Sequence, residues 1–145
     1  MVKEYIRKVL ILCAGNSCRS QMAEALINDK LSRYWKAYSA GTEPSDYIHP
    51  IALKVLNEVG IDHLGKSKHI DDLPTKEFDL VITVCEHARN NCPVWVGAGK
   101  RAHISIPDPV GVFGTQDEIM NTFRIIRDEI DAHILGYLKN LESME

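Results

Sequence analysis

A short run near the start of the chain carries the residue types that bind and attack a tetrahedral oxyanion. The run Cys13-Ala-Gly-Asn-Ser-Cys-Arg-Ser20 places a cysteine, several small residues and an arginine within eight positions. Small residues allow a tight loop whose backbone N–H groups turn inward and form a nest for an anion. Arg19 can offer a two-pronged hydrogen bond to two oxygens of that anion. The run therefore predicts a nucleophilic Cys13 beneath a phosphate-like group.

We expect the whole loop to contribute to anion binding. The residues assigned to this role are Ala14, Gly15, Asn16, Ser17, Cys18, Arg19 and Ser20. A helix that begins near Ser20 adds the positive end of its dipole, and this end and Arg19 together favour a thiolate at Cys13. The Ser20 hydroxyl can donate to that sulfur. Cys18 is interpreted as a packing residue rather than a second nucleophile.

The remaining cysteines, Cys85 and Cys92, lie seven residues apart in a polar segment. The first apolar run, Val9 to Ala14, is too short for a secretory signal, so we expect a reducing compartment in which lasting disulfides are uncommon. The C-x4-C and C-x6-C spacings of the four cysteines differ from the C-x2-C pairs of zinc sites. Redox or catalytic thiols are the favoured interpretation, and two packing thiols remain the alternative.

Composition limits the classes of protein to consider. The chain has 145 residues, 45% of them hydrophobic, and a formal net charge of -3 without runs of lysine or arginine. This charge pattern argues against nucleic acid and membrane surfaces as partners, and no apolar run approaches the ~20 residues of a membrane helix. We expect a single domain over residues 1–145 that acts as a cytoplasmic monomer.

The hydrophobic pattern predicts an α/β fold. Strands are expected at Val9–Leu12, Trp35–Ser39, Leu80–Val84 and Ile104–Ile106. Helices are expected at Ser20–Leu31, from Pro50 to Val59, and after a capping box at Thr115 and Glu118, where apolar residues recur from Ile119 to Leu138. Strands that alternate with helices indicate a small, doubly wound parallel sheet with helices on both faces.

This architecture brings distant side chains to one edge of the sheet. Cys13 follows the first strand, Cys85 ends the third, and Asp108 follows the fourth. Ligands of open parallel sheets bind beyond the carboxyl ends of the strands, where the strand order reverses. Asp108 is therefore a candidate acid or base, with an Asp-Pro turn as its alternative role.

The loop carries a family resemblance. C-x5-R-S after a buried strand, with Asp-Pro about ninety residues later, resembles the low-molecular-weight protein tyrosine phosphatases. The segments Cys13 to Ala25 and Tyr38-Ser-Ala-Gly-Thr-Glu-Pro44 more closely resemble the thioredoxin-coupled arsenate reductases that share this fold. The resemblance covers roughly residues 8 to 140 and implies a four-stranded parallel sheet with the first loop as the oxyanion site.

The resemblance to the reductases also implies a reaction. Cys13 attacks arsenate, Cys85 then attacks the Cys13 sulfur and releases arsenite, and Cys92 takes over the disulfide, which thioredoxin reduces. No tightly bound cofactor is implied. The alternative is a phosphatase that acts through a Cys13 phosphoenzyme with Asp108 as the general acid.

Two departures from the family patterns bear on this choice. Val110, Gly111 and Val112 follow Asp108-Pro109 where phosphatases usually carry tyrosines, which favours a small inorganic anion. The stretch from His103 to Pro109, however, lacks the Trp and paired Asp residues common in the reductases and keeps the phosphatase alternative open.

Some reductases of the type that this chain resembles hold a potassium ion near the loop, so the resemblance raises the question of a potassium site here. Asn16, Glu24 and Ser39 match three of its ligands, and Ser67 matches a fourth. Lys68 and His69 stand where a carboxylate is expected, which argues against potassium in this chain. The alternative role for Asn16, Glu24 and Ser39 is to brace the loop by hydrogen bonds.

Overall fold

The structure is a computed structural model that describes residues 5–85, 95 and 97–143. Its centre is one sheet of four parallel strands in the order β2-β1-β3-β4. The strands are β1 (Arg7–Leu12), β2 (Trp35–Ala40), β3 (Glu77–Thr83) and β4 (Ala98–His103). The α/β prediction with a parallel four-stranded sheet is confirmed.

The fourth strand was predicted at the wrong place. β4 occupies Ala98–His103, whereas the sequence favoured Ile104–Ile106 because of its apolar residues. β4 lies at the edge of the sheet and exposes most of its polar side chains, so it lacks the apolar run of a buried strand. The chain still runs beside β3 after β4 ends, since Ile106 N–H donates to Val84 O at 3.2 Å and the Ile106 side chain is buried.

Four α-helices accompany the sheet in the described ranges. They are α1 (Arg19–Lys30), α2 (Pro50–Asn57), α3 (Gln116–Ile130) and α4 (Gly136–Ser143). Thr115 and Glu118 form the predicted capping box at the start of α3. The single long helix predicted after it is divided by a π-helical turn at Asp131–Leu135. α2 ends two residues before the predicted Val59 and leads into a turn that Gly60 closes with φ +85.

The helices and the sheet enclose the larger of two apolar cores. Residues from α1, α2, α3, the π-helical turn and α4 pack there against β1 and β3. The smaller core lies on the other face, where Phe78 and Trp95 pack edge to face at 5.7 Å next to the 3₁₀ turn Ile70–Asp72. No helix in the described ranges is long and apolar enough to cross a membrane. The two covered faces leave the carboxyl edge of the sheet as the place where loops meet.

Candidate active site

The candidate site lies where the strand order reverses. β1 has β2 on one side and β3 on the other, and Cys13 follows directly after β1. Cys13 N–H donates to Ala40 O at the end of β2 at 3.4 Å, while Val84 N–H, just beyond β3, donates to Leu12 O at 3.1 Å. The loop therefore starts from a backbone that neighbouring strands hold on both sides.

The carbonyl groups of the loop are bound by an outer segment, residues 43–49. Ala14 O accepts from Glu43 N–H at 2.9 Å, Gly15 O from Ser45 N–H at 3.0 Å, and Ser17 O from His49 N–H at 3.0 Å. In a planar trans peptide the N–H points opposite to the carbonyl. The N–H groups that follow these three carbonyls consequently point away from the outer segment, as the anion nest requires.

Asn16 organises the inside of the loop. It is fully buried and has φ +48, a left-handed conformation that asparagine tolerates better than most residues. Its Oδ1 accepts from Lys68 N–H at 2.9 Å and from Gln21 Nε2 at 2.9 Å. Its Nδ2 donates to Ser20 Oγ at 2.7 Å. All polar atoms of the Asn16 side chain are thus engaged by protein partners.

These contacts fix the direction of the hydrogen bond to the nucleophile. The backbone N–H of Lys68 can only donate, so the Asn16 atom that faces it is the oxygen and the atom that faces Ser20 is the nitrogen. Ser20 Oγ therefore accepts from Asn16, and its own hydrogen is available to Cys13 Sγ at 3.0 Å. A hydroxyl aimed at the sulfur in this way stabilises a thiolate.

A second chain of contacts continues from Gln21 to His63. Gln21 Nε2 donates to Lys66 O at 2.9 Å, so Gln21 Oε1 is the atom that accepts from His63 Nε2 at 2.8 Å. Burial lowers the pKa of His63, the neighbouring Glu24 carboxylate opposes this shift, and the Lys68 ammonium adds to it. No role was predicted for Gln21, which is one of several polar residues of α1 and differs from most of them in being fully buried.

Arg19 bridges the loop to the carboxyl edge of the sheet. Its Nη1 donates to Val84 O at 3.2 Å and to Ile106 O at 3.0 Å. Its Nη2 lies 3.6 Å from Asp108 Oδ2, and the Arg19 side chain is 13% exposed. Because Nη1 already donates to two carbonyls, the two-pronged contact predicted for Arg19 would have to use Nη2 and Nε.

The structure brings Cys13, Arg19 and Asp108 to one small cavity of about 60 Å³. Its lining comprises Cys13, Gly15, Asn16, Ser17, Cys18, Arg19, Asp108 and Val110. Cavities that hold drug-sized ligands have about 300–1,000 Å³, so this one suits a small anion. Asp108 Oδ1 accepts from Val110 N–H at 3.0 Å, which orients the carboxyl group at the rim.

Cys18 is placed as the sequence predicted for a packing residue. It is 3% exposed and belongs to the larger apolar core. Burial raises the pKa of its thiol from the ordinary value of 9.0 to about 12, although the Ser17 hydroxyl opposes the shift. Cys18 is therefore protonated at neutral pH and unsuited to attack, because the thiolate is the nucleophile.

The other two cysteines differ in what the structure describes. Cys85 is half-buried, lies two residues beyond β3, and is disulfide-bonded. Its bond is not to Cys13 or Cys18, since both are free thiols. Cys85 does not appear in the described lining of the Cys13 cavity. Cys92 lies outside the described residues.

The residues proposed for potassium do not fit that ion. Both acceptor directions of Asn16 Oδ1 are filled by protein donors, and Ser67 Oγ donates to Gly15 O at 3.2 Å. The Lys68 ammonium lies 3.6 Å from Glu24 Oε1. A dissolved cation beside Glu24 would therefore meet a positive charge already in place.

Gly41 is a further residue that the sequence analysis did not assign. A Cβ at this position would collide with the backbone oxygens of Ala14 and Cys13, so only glycine lets the chain after β2 pass this close to the loop. Gly41 N–H donates to Lys68 O at 3.0 Å, which joins the two supporting segments. The glycine in Ser39-Ala-Gly-Thr42 was the signal available in the sequence.

The sheet order and the Cys13 loop define a class of protein, and comparison with known families agrees. A model of the family described as low molecular weight phosphotyrosine protein phosphatase matches residues 8–145. The chain belongs to this family, and the resemblance read from its first loop is confirmed.

Similar proteins within the family carry a more particular name. An arsenate reductase of Shouchella clausii (strain KSM-K16) is 43% identical over 137 residues, which cover 92% of this chain and 96% of that protein. A solved structure described as an arsenate reductase in the phosphate binding state superposes with a TM-score of 0.75 at 28% identity, covering 93% of this chain and 98% of that one. A thioredoxin-dependent arsenate reductase from Corynebacterium glutamicum gives a TM-score of 0.71 at 25% identity over 97% of this chain and 64% of that one.

Proposed function

We propose that this chain is an arsenate reductase that uses Cys13, Cys85 and Cys92 in sequence and is recycled by thioredoxin. The proposal draws on the names of its relatives and on the geometry of the small anion cavity. Arg19 and the loop N–H groups hold the arsenate oxygens, while the Ser20 hydroxyl keeps the Cys13 sulfur ready for attack.

The proposed reaction begins at arsenic. The Cys13 thiolate attacks As(V) and displaces one oxygen as water, for which Asp108 supplies the proton. The Cys85 thiolate then attacks Cys13 Sγ. The electron pair of the S–As bond passes to arsenic, As(III) leaves as arsenite, and a Cys13–Cys85 disulfide remains. The arsenic has gained two electrons, and two thiols have lost them.

The disulfide then moves away from the anion site. The Cys92 thiolate attacks Cys85, which frees Cys13 and leaves a Cys85–Cys92 disulfide. A thioredoxin dithiol reduces this bond and returns all three thiols. The cycle requires a compartment that supplies a dithiol reductant, so we place the protein in the cytoplasm, where it acts as a monomer because one chain supplies every catalytic sulfur.

One observation carries the reductase proposal. Cys85 forms a disulfide that involves neither Cys13 nor Cys18 and lies just beyond the strand next to the nucleophile. A phosphoenzyme mechanism uses a single sulfur and gives such a disulfide no task. The proposed cascade requires one.

Phosphate ester hydrolysis is the second candidate. Asp108 supports it, because a carboxyl group 41% exposed at the rim of the Cys13 cavity can protonate a leaving oxygen and later activate water. The exposed Val110 stands at the same rim and provides no aromatic wall for a phosphotyrosine ring.

The deciding experiment measures arsenate-dependent oxidation of NADPH with thioredoxin and thioredoxin reductase. Multiple turnovers are expected for the wild type, and one arsenite per enzyme for Cys92→Ser. Cys13→Ser abolishes both this activity and cleavage of p-nitrophenyl phosphate.

Thr122→Ala provides the control, since it removes a hydroxyl that donates to Glu118 O on α3 and has no part in the cascade, and it is expected to keep cycling. Continued turnover by Cys92→Ser would remove the three-thiol sequence. Rapid p-nitrophenyl phosphate cleavage without arsenate turnover by the wild type would establish the phosphatase instead.

A further inference from the structure

Lys68 contacts the anion loop through its backbone N–H group. Its side chain contacts residues next to that loop. Its N–H donates to Asn16 Oδ1 at 2.9 Å. Its ammonium donates to Lys66 O at 3.1 Å and lies 3.6 Å from Glu24 Oε1. The two side chains of this ion pair are 18% and 15% exposed, so water screens the pair less than a surface pair.

Glu24 passes this contact on to the sheet. Ser39 Oγ donates to Glu24 Oε1 at 2.6 Å, and Ser39 is a fully buried residue of β2. The next residue, Ala40, accepts from Cys13 N–H where the loop begins. The Glu24 carboxylate therefore links α1 to β2, the strand whose last residue accepts the hydrogen bond from Cys13 N–H.

A carboxylate in this position requires a nearby positive charge. Removing a charge from water without a partner is costly, and the group then loses its charge or rearranges. In the described part of the chain, Lys68 forms the ion pair with Glu24. A dissolved monovalent cation could neutralise Glu24 as well, but a tethered ammonium does so without a binding equilibrium.

We propose that the Lys68 ammonium is a built-in monovalent cation that holds Glu24 and Ser39 in place beneath the anion loop. Lys68 is thus a positioning residue, and it makes oxyanion binding by this chain independent of dissolved potassium. The proposal does not rest on arsenate reduction, because binding of inorganic phosphate to the loop tests it.

The test compares the wild type with Lys68→Ala, which removes the ammonium and opens space but keeps the backbone N–H. Melting temperature and phosphate affinity are measured in potassium chloride and in tetramethylammonium chloride at equal ionic strength. The wild type is expected to give the same values in both salts. In tetramethylammonium, Lys68→Ala is expected to bind phosphate about threefold to tenfold more weakly and to melt about 3 °C lower.

Potassium is expected to restore part of both losses in Lys68→Ala, because removal of the ammonium leaves Glu24 Oε1 open to a dissolved cation without ligation by Asn16 or Ser67. Lys68→Arg is expected to retain wild-type values without potassium. A purely structural role for the lysine stem would not respond to the identity of the salt cation. Lys76→Met is the matched control, because this lysine is half exposed and bonds to Ile70 O away from Glu24.

Two results would overturn the proposal. One is a wild type whose melting temperature or phosphate affinity rises specifically in potassium. The other is a Lys68→Ala variant that equals the wild type in tetramethylammonium or gains nothing from potassium. If Lys68→Ala fails to fold, the wild-type comparison and Lys68→Arg decide the matter. Loss of arsenate turnover with unchanged phosphate binding would bear on the reductase proposal alone.

Discussion

Removal of the Ser20 hydroxyl should slow the Cys13 nucleophile by one to two orders of magnitude. Ser20 Oγ lies 3.0 Å from Cys13 Sγ, both groups are buried, and the bond from Asn16 leaves the hydroxyl hydrogen to the sulfur. A hydrogen bond to a charged group contributes about 1.5–3 kcal/mol. At about 1.36 kcal/mol per tenfold change in rate, the loss of a bond of this strength should slow alkylation of Cys13 at a fixed pH by about tenfold to a hundredfold.

The assay is the rate of alkylation of reduced protein by iodoacetamide at one fixed neutral pH, with the modified cysteine identified by mass spectrometry. Ser20→Ala should react more slowly than the wild type. Asn16→Asp should react more slowly as well, because an aspartate oxygen in place of Nδ2 accepts the Ser20 hydroxyl and turns it away from the sulfur. Thr122→Ala is the matched control, since its hydroxyl donates to Glu118 O on the exposed side of α3.

The two variants separate the existence of the bond from its direction. An unchanged alkylation rate in Ser20→Ala would refute a stabilising role for the hydroxyl. A slower rate in Ser20→Ala with a wild-type rate in Asn16→Asp would refute the direction derived from Lys68 N–H. Folding of each variant is checked by its melting temperature, because Ser20→Ala leaves Asn16 Nδ2 without its partner.

Three further outcomes follow from burial and close contact. The raised pKa of Cys18 keeps the thiol protonated in the folded state while the thiol of the unfolded chain ionises, so its contribution to the free energy of unfolding is full below pH 9 and is lost towards about pH 12. Cys18→Ala should therefore reduce the fall of the unfolding free energy at alkaline pH, as measured by urea unfolding. The lowered pKa of His63 has the opposite sign, so its stabilisation is full above about pH 6.5 and is lost as the pH falls, and His63→Gln should reduce the acid slope of the same measurement. Gly41→Ala should cost about 1–3 kcal/mol in unfolding free energy and weaken phosphate binding, as measured by titration calorimetry, because its Cβ displaces the carbonyls of Ala14 and Cys13. A phosphate affinity for Gly41→Ala equal to that of the wild type would contradict the close approach.

The parts of the fold that were predictable from sequence are those with a strong local pattern. β1 contains an unbroken apolar run, and α3 opens with a capping box, so the end of β1 and the start of α3 were predicted at their true positions. β4 was misplaced because an edge strand of Ala, Gly, Lys, Arg, Ala and His has neither alternation nor an apolar run. The π-helical turn after α3 has no distinct sequence signal, since the apolar spacing continues through it.

The candidate site divides along similar lines. Cys13, Arg19 and Ser20 were predictable because their chemistry lies within one short loop. The contacts of Lys66 with Gln21 and of Lys68 with Asn16 were not predictable, because backbone groups carry no side-chain signature and the partners are 45 or more positions apart. Long-range hydrogen bonds of this kind become visible only when the chain is folded.

Part of the support of the anion loop comes from residues 61–68, which form neither helix nor strand. Carbonyl and N–H groups in this irregular stretch bind Gln21 and Asn16, so a local opening of the stretch would remove the scaffold of the nucleophile while the sheet stays intact. Amide exchange of the Lys68 N–H should therefore report how often the enzyme is assembled for reaction. Substitutions in residues 61–68 should therefore change the turnover rate of the enzyme, although these residues do not contact the substrate.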